Sequence, residues 1–106
     1  IAYCSGQSST THGYTSGGTA SSDTNVISKF TFASDANATD VGDLTDTRYA
    51  VTPQSSTTHG YSSGGYSSSA GGNRNIIDKF AFASDGNATD VGDISNSRQG
   101  GAGQQI

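Results

Sequence analysis

Apolar residues along the chain come in short clusters separated by polar stretches. Nowhere do they recur at i, i+3, i+4 and i+7 over a helical length, so no amphipathic helix is expected. Alternation is the rule instead, and alternation is the period of a strand. The strongest case is Asn25–Ala33, with its counterpart Asn75–Ala83. In the first, Val26, Phe30 and Phe32 share one face, while Ile27, Thr31 and Ala33 share the other. In the second, Ile76, Phe80 and Phe82 oppose Ile77, Ala81 and Ala83. Apolar residues on both faces predict a strand covered on both sides. Three weaker strands are predicted around each: Tyr3–Gly6, Gly13–Ser16 and Thr39–Leu44, then Tyr49–Thr52, Gly60–Ser63 and Thr89–Ile94. Ser-Asp-Ala-Asn-Ala (34–38) and Ser-Asp-Gly-Asn-Ala (84–88) read as hairpin turns, because Asp, Asn and Gly tolerate left-handed backbone.

The counterparts are a tandem repeat. Gln7–Gly18 and Gln54–Gly65 agree at 11 of 12 positions at an offset of 47. Asn25–Arg48 and Asn75–Arg98 agree at 16 of 24 at an offset of 50. The mismatches read as mild, as in Val26 for Ile76, Leu44 for Ile94 and Thr45 for Ser95. Three extra residues fall after the second Gly-Gly, and an insertion accepted there marks an exposed loop. The chain divides into 1–47, 48–98 and 99–106, the last beginning a further repeat in which Gln104 aligns with Gln54. Its ends cut the repeat at an arbitrary phase, which predicts either a piece of a longer array or a protomer of a larger ring. A period near 50 residues is the mark of propellers and solenoids.

Composition narrows the chemistry. The 106 residues are 30% hydrophobic and include 18 Ser, 13 Thr and 15 Gly. Net charge is −4, which argues against nucleic acid as the main partner. No apolar run is long enough to insert in a membrane as a helix. A single cysteine, Cys4, excludes an internal disulfide and a cysteine-based zinc site. It aligns with Val51, so a small buried hydrophobe is expected there.

The order Gly-Tyr-x-Ser-Gly-Gly, a hydrophobic strand, a turn, Asp-Val-Gly-Asp and then Arg resembles the kelch repeat. Gly17-Gly18 and Gly64-Gly65 match its doublet, Phe30 and Phe80 stand near its aromatic position, and Arg48 and Arg98 match its arginine. Val41 and Val91 are nearest the place of its tryptophan, which is absent. Near-identical tandem repeats of this kind are also similar to those of tailed-phage and environmental-virus proteins. The resemblance implies an all-β fold, a β-propeller of four-stranded blades with two blades in this chain. Propellers have about 4–8 blades, so two are too few. The expected partners are therefore copies of the chain, three giving six blades or four giving eight.

Candidate sites follow from the repeat. His12 and Tyr14, repeated as His59 and Tyr61, form a corner that would stack on and hydrogen-bond a sugar; the plainer reading is packing between blades. Asp35, Asn37, Asp40 and Asp43, repeated as Asp85, Asn87, Asp90 and Asp93, are oxygen donors of the type calcium takes. Their spacing is not that of an EF-hand, and turn capping accounts for them without an ion. Gly60-Tyr61-Ser62-Ser63-Gly64 fits the G-x-S-x-G nucleophile pattern, but no helix follows it and Thr15 replaces Ser62 in the sister copy. Lys29, Lys79, Arg48 and Arg98 are expected to pair with Asp between blades. No catalytic residue and no cofactor are expected. The reading is a non-enzymatic structural or interaction module, extracellular or in a virion, that completes a ring by self-association. The alternative is a lectin-like propeller with one shallow carbohydrate site per blade.

Overall fold

The structure is a computed structural model that describes residues 4–19, 21–101 and 103. It is all-β, with no helix among the described residues. The strands run β1 (Ser5–Ser8), β2 (His12–Ser16), β3 (Val26–Thr31), β4 (Thr39–Asp43), β5 (Thr52–Ser55) and β6 (His59–Ser63), then β7 (Tyr66–Ser67), β8 (Gly72–Asn73), β9 (Ile76–Ala81) and β10 (Thr89–Asp93). Two four-stranded antiparallel sheets result, ordered β1-β2-β3-β4 and β5-β6-β9-β10. Each is a simple up-and-down meander of one sequence repeat. The loop with the three extra residues folds into the small β7–β8 hairpin instead of remaining irregular.

The first strand of each sheet lies later than the apolar pattern places it. It occupies Ser5–Ser8 and Thr52–Ser55 rather than Tyr3–Gly6 and Tyr49–Thr52. Tyr3 lies outside the described residues, as does Gln104. Tyr49 instead makes an isolated bridge to Tyr66. The cause is polar: Gln7 and Ser5 are buried at 3% and 5% exposure, and their side chains are hydrogen-bonded inside the molecule. Such residues belong in a strand once their partners are in reach.

The Asp-Val-Gly-Asp motif is a β-bulge. Ile27 pairs with Gly42 and Ser28 with Asp40, leaving Val41 as the extra residue. The same shift recurs in β10 at Val91. The Asp40 carboxylate accepts the Gly42 N–H at 3.2 Å, and Asp90 accepts that of Gly92 at 3.2 Å, so the aspartate holds the bulge it begins.

The Gly-Gly doublet ends β2 and β6 in left-handed backbone, with φ of 67° and 107° at Gly17 and Gly18. Gly18 N–H donates to Arg48 O at 2.8 Å, and Gly65 N–H donates to Arg98 O at 2.8 Å. The doublet thus carries the arginine segment across the end of the sheet. A Cβ at Gly17 would lie 2.6 Å from Arg48 O. Gly17→Ala is therefore expected to cost at least ~1–3 kcal/mol, from left-handed strain alone before the clash is added. A urea titration checks this; an unchanged midpoint at constant slope contradicts it.

The two sheets pack face to face, but each is covered on one side only. Directly paired residues share a face, so β1-β2-β3 present Gln7, Tyr14, Ser16, Ile27 and Lys29 to the second sheet. That sheet replies with Ser62, Asp78 and Phe80. The core comprises Tyr14, Ile27, Leu44, Phe80 and Ala88, with Val41 and Phe82 against it. Phe30 and Phe32 on the outer face of the first sheet are 39% and 55% exposed. Two-sided covering of the third strand is thus not what this chain achieves by itself. Cys4 is exposed, whereas Val51 is buried at 6% against Gly65; the expected burial of Cys4 is corrected.

Candidate functional site

The seam between the sheets concentrates the chemistry of the chain. Its apolar part is aromatic. Tyr14 stacks on Phe82 at a centroid distance of 4.9 Å and meets Phe80 at 5.5 Å. Each such pair is worth about 0.5–1.5 kcal/mol beyond the area it buries. Gly60 makes room for this, since a Cβ there would run into the Phe80 ring. Burial pushes the Tyr14 hydroxyl above its ordinary pKa.

Beside the aromatics runs a row of hydroxyls. Ser5, Ser16 and Ser62 are linked Oγ to Oγ at 2.8 Å each. The Gln7 amide donates to Ser62 Oγ at 2.8 Å and to Tyr61 O at 2.9 Å. The serine of the G-x-S-x-G pattern is thus a buried strand residue inside a hydroxyl chain. The strand–turn–helix that would lift it as a nucleophile is absent among the described residues.

The other end of the seam is ionic. Arg48 and Asp78 are both fully buried and meet at 2.7 Å. Arg48 Nη1 also donates to Gly64 O at 2.9 Å and Ile76 O at 3.2 Å. Thr45 completes the carboxylate, donating from N at 2.9 Å and from Oγ1 at 2.7 Å. Burial lowers the Arg48 pKa from its ordinary value, and the Asp78 charge opposes that shift. The guanidinium remains charged. Its Nε is buried without a hydrogen-bond partner. A second pair, Arg74–Asp46 at 3.1 Å, flanks it. At the far corner Lys29 meets Asp85 at 2.7 Å, and the hydrogen bond to Asp85 raises the Lys29 pKa. The Asp85 side chain is 56% exposed, so this pair adds at most about 1 kcal/mol.

The residues singled out by the repeat are distributed unevenly. Tyr14 is 3% exposed and covered by Phe80 and Phe82, so it offers no ring face to a sugar. Tyr61, its twin, lies on the open face of the second sheet. His12 and His59 turn their Nδ1 to the preceding Thr11 and Thr58 hydroxyls, at 2.7 and 2.8 Å. Asp40 and Asp90 are engaged by their bulges, and Asn87 accepts the Asp43 N–H at 3.0 Å across the seam. Among the described residues no three His, Cys, Asp or Glu side chains converge on a common point. Asp35, Asn37 and Asp93 are surface residues of the hairpin loop and β10. Arg48 and Lys29 pair between the sheets as the repeat suggests.

The sequence reading missed Ser5, Gln7, Ser16 and Asp78. Asp78 had a visible signal: it stands where the first copy has Ser28, the one difference of charge between the matched strands Val26–Thr31 and Ile76–Ala81.

The outer faces continue the seam. On the second sheet Tyr61, Ile77, Val91 and Ile94, with Gln54 and Ser63, line an open hollow of about 390 Å³. These are the repeat counterparts of Tyr14, Ile27, Val41, Leu44, Gln7 and Ser16, the half of the seam that the first sheet supplies. On the first sheet Phe30 and Phe32, counterparts of Phe80 and Phe82, stand exposed. No protein-family model matches the chain, and no curated protein matches it.

Proposed function

We propose that the chain is a non-enzymatic structural module of the kelch-like propeller type. Its two sheets act as consecutive blades, and copies of the chain complete the ring. Three chains would supply six blades and four would supply eight, both within the range of about 4–8 that propellers use. One observation carries this reading: each outer face bears the half of the internal seam that the opposite outer face lacks. A contact between unlike faces is heterologous, and such contacts close into rings or run on as filaments according to the rotation they impose. The expected result of light scattering after gel filtration is a discrete trimer or tetramer. A particle that stays at 10.7 kDa at every concentration tested overturns the reading.

A further inference from the structure

The two repeats are alike in backbone at their closing arginines and different in charge. Arg98 is held as Arg48 is. Its carbonyl accepts Gly65 N–H at 2.8 Å, as that of Arg48 accepts Gly18 N–H at 2.8 Å. Its own N–H donates to Arg74 O at 3.3 Å, as that of Arg48 donates to Thr24 O at 3.3 Å. Ser63 donates to Gln54 Oε1 at 3.2 Å, as Ser16 donates to Gln7 Oε1 at 3.4 Å. The second sheet therefore presents a preformed half-seam. Arg98 and Ser95 line its edge, beside Thr52 and Gln54, in a cleft of about 320 Å³.

We infer that this half-seam takes the Phe30–Phe32 face of a second copy, in the polarity of the internal seam, and that Ser28 sets how tightly it does so. The inference rests on the self-association reading above. By the correspondence of the repeats, Phe30 and Phe32 of the second copy fall on Tyr61, as Phe80 and Phe82 fall on Tyr14. Its Thr15 hydroxyl falls on Ser63, and its Asp35 falls by Lys79. The aromatic stack, the hydroxyl row and the lysine–aspartate corner of the internal seam are restored, whereas the ionic cluster and the contacts of the β7–β8 hairpin are not. Arg98 meets Ser28 where Arg48 meets Asp78, and Asn96 stands where Asp46 pairs with Arg74. An arginine buried with no carboxylate is costly, so the seam between copies is weaker than the seam within one. Seating also moves the end of the chain, because Gly101 and Gly103 lie against Thr52 and Pro53, beside β5, where β1 of the second copy belongs. The chain is thus built to stay intact as a two-sheet unit while joining its copies reversibly.

The test is Ser28→Asp in the full chain, followed by sedimentation over a range of concentrations. Ser28 lies in an open cleft with Thr15 and Val26, so the new carboxylate is solvated before assembly. Association is expected to tighten at least ~10-fold, since a close, desolvated charge pair across an interface couples favourably. Adding Arg98→Gln to the same chain should abolish the gain, while leaving the melting of the two-sheet unit unchanged. A wild-type chain that assembles while Ser28→Asp leaves the affinity unchanged overturns this inference and leaves the self-association reading standing. A chain that remains monomeric with either residue overturns both. A wild-type chain that assembles only at the higher concentrations, with Ser28→Asp assembling at ~10-fold lower ones, supports the inference.

Discussion

Asp78→Ser is expected to destabilise the folded chain by about 3–5 kcal/mol, the cost of leaving a buried charge without its partner. Arg48 is fully buried, and Asp78 is the carboxylate it reaches. The substitution also strips Thr45 N–H and Oγ1 of their acceptor. Small domains are stable by about 5–15 kcal/mol, so much of the margin would go. Chemical denaturation reads the effect directly, and a loss below about 1 kcal/mol contradicts the role given to the pair. Replacing both residues by apolar ones of similar volume (Arg48→Met with Asp78→Leu) should recover most of the loss, because a packed apolar pair is often neutral or better than a buried ion pair. That recovery separates an uncompensated charge from simple damage to the strand.

A repeat invites the assumption that matched residues matter equally, and here they do not. Ile27→Ala is expected to cost about 2–5 kcal/mol, since Ile27 is fully buried in the seam and its removal leaves a cavity. Ile77→Ala, at the matched place on the open face, should cost less than about 1 kcal/mol in the isolated chain, because the site is partly solvated already. Thermal melts at low protein concentration distinguish the two. Equal losses contradict the one-sided covering of the sheets. At concentrations where copies associate, the Ile77→Ala penalty should grow, as the open face becomes a second seam.

The repeat made much of this fold legible. Counterparts Asn25–Ala33 and Asn75–Ala83 became β3 and β9, and the Asp-Val-Gly-Asp segments became β4 and β10 at nearly the expected bounds. The first strand of each sheet was less visible. Gln7 and Ser5 look like surface residues by hydropathy, and only their hydrogen-bond partners on other strands make them interior. Arg48 was legible as a pairing residue, but its partner was not, since Asp78 lies thirty positions on and in the other sheet. The Ser28-for-Asp78 difference shows in the sequence as an added charge, but its meaning depends on the guanidinium opposite. The two His-Gly-Tyr corners have the same local sequence and opposite surroundings, one covered and one open. Burial belongs to what stacks on a strand, which periodicity within the strand does not report.

Site-directed cross-linking tests the stacking of unlike faces most directly. Ser16 and Ser62 touch across the internal seam at 2.8 Å, and their counterparts on the outer faces are Ser63 and Thr15. With Cys4→Ser to remove the exposed thiol, one chain carries Ser63→Cys and another Thr15→Cys. Head-to-tail stacking predicts a disulfide-linked dimer from the mixture and much less from either variant alone. A chain bearing both substitutions should give a ladder that ends at the number of chains in the ring. No cross-link in the mixture under oxidation, in a concentration range where the chain is oligomeric, would show that copies meet through other surfaces.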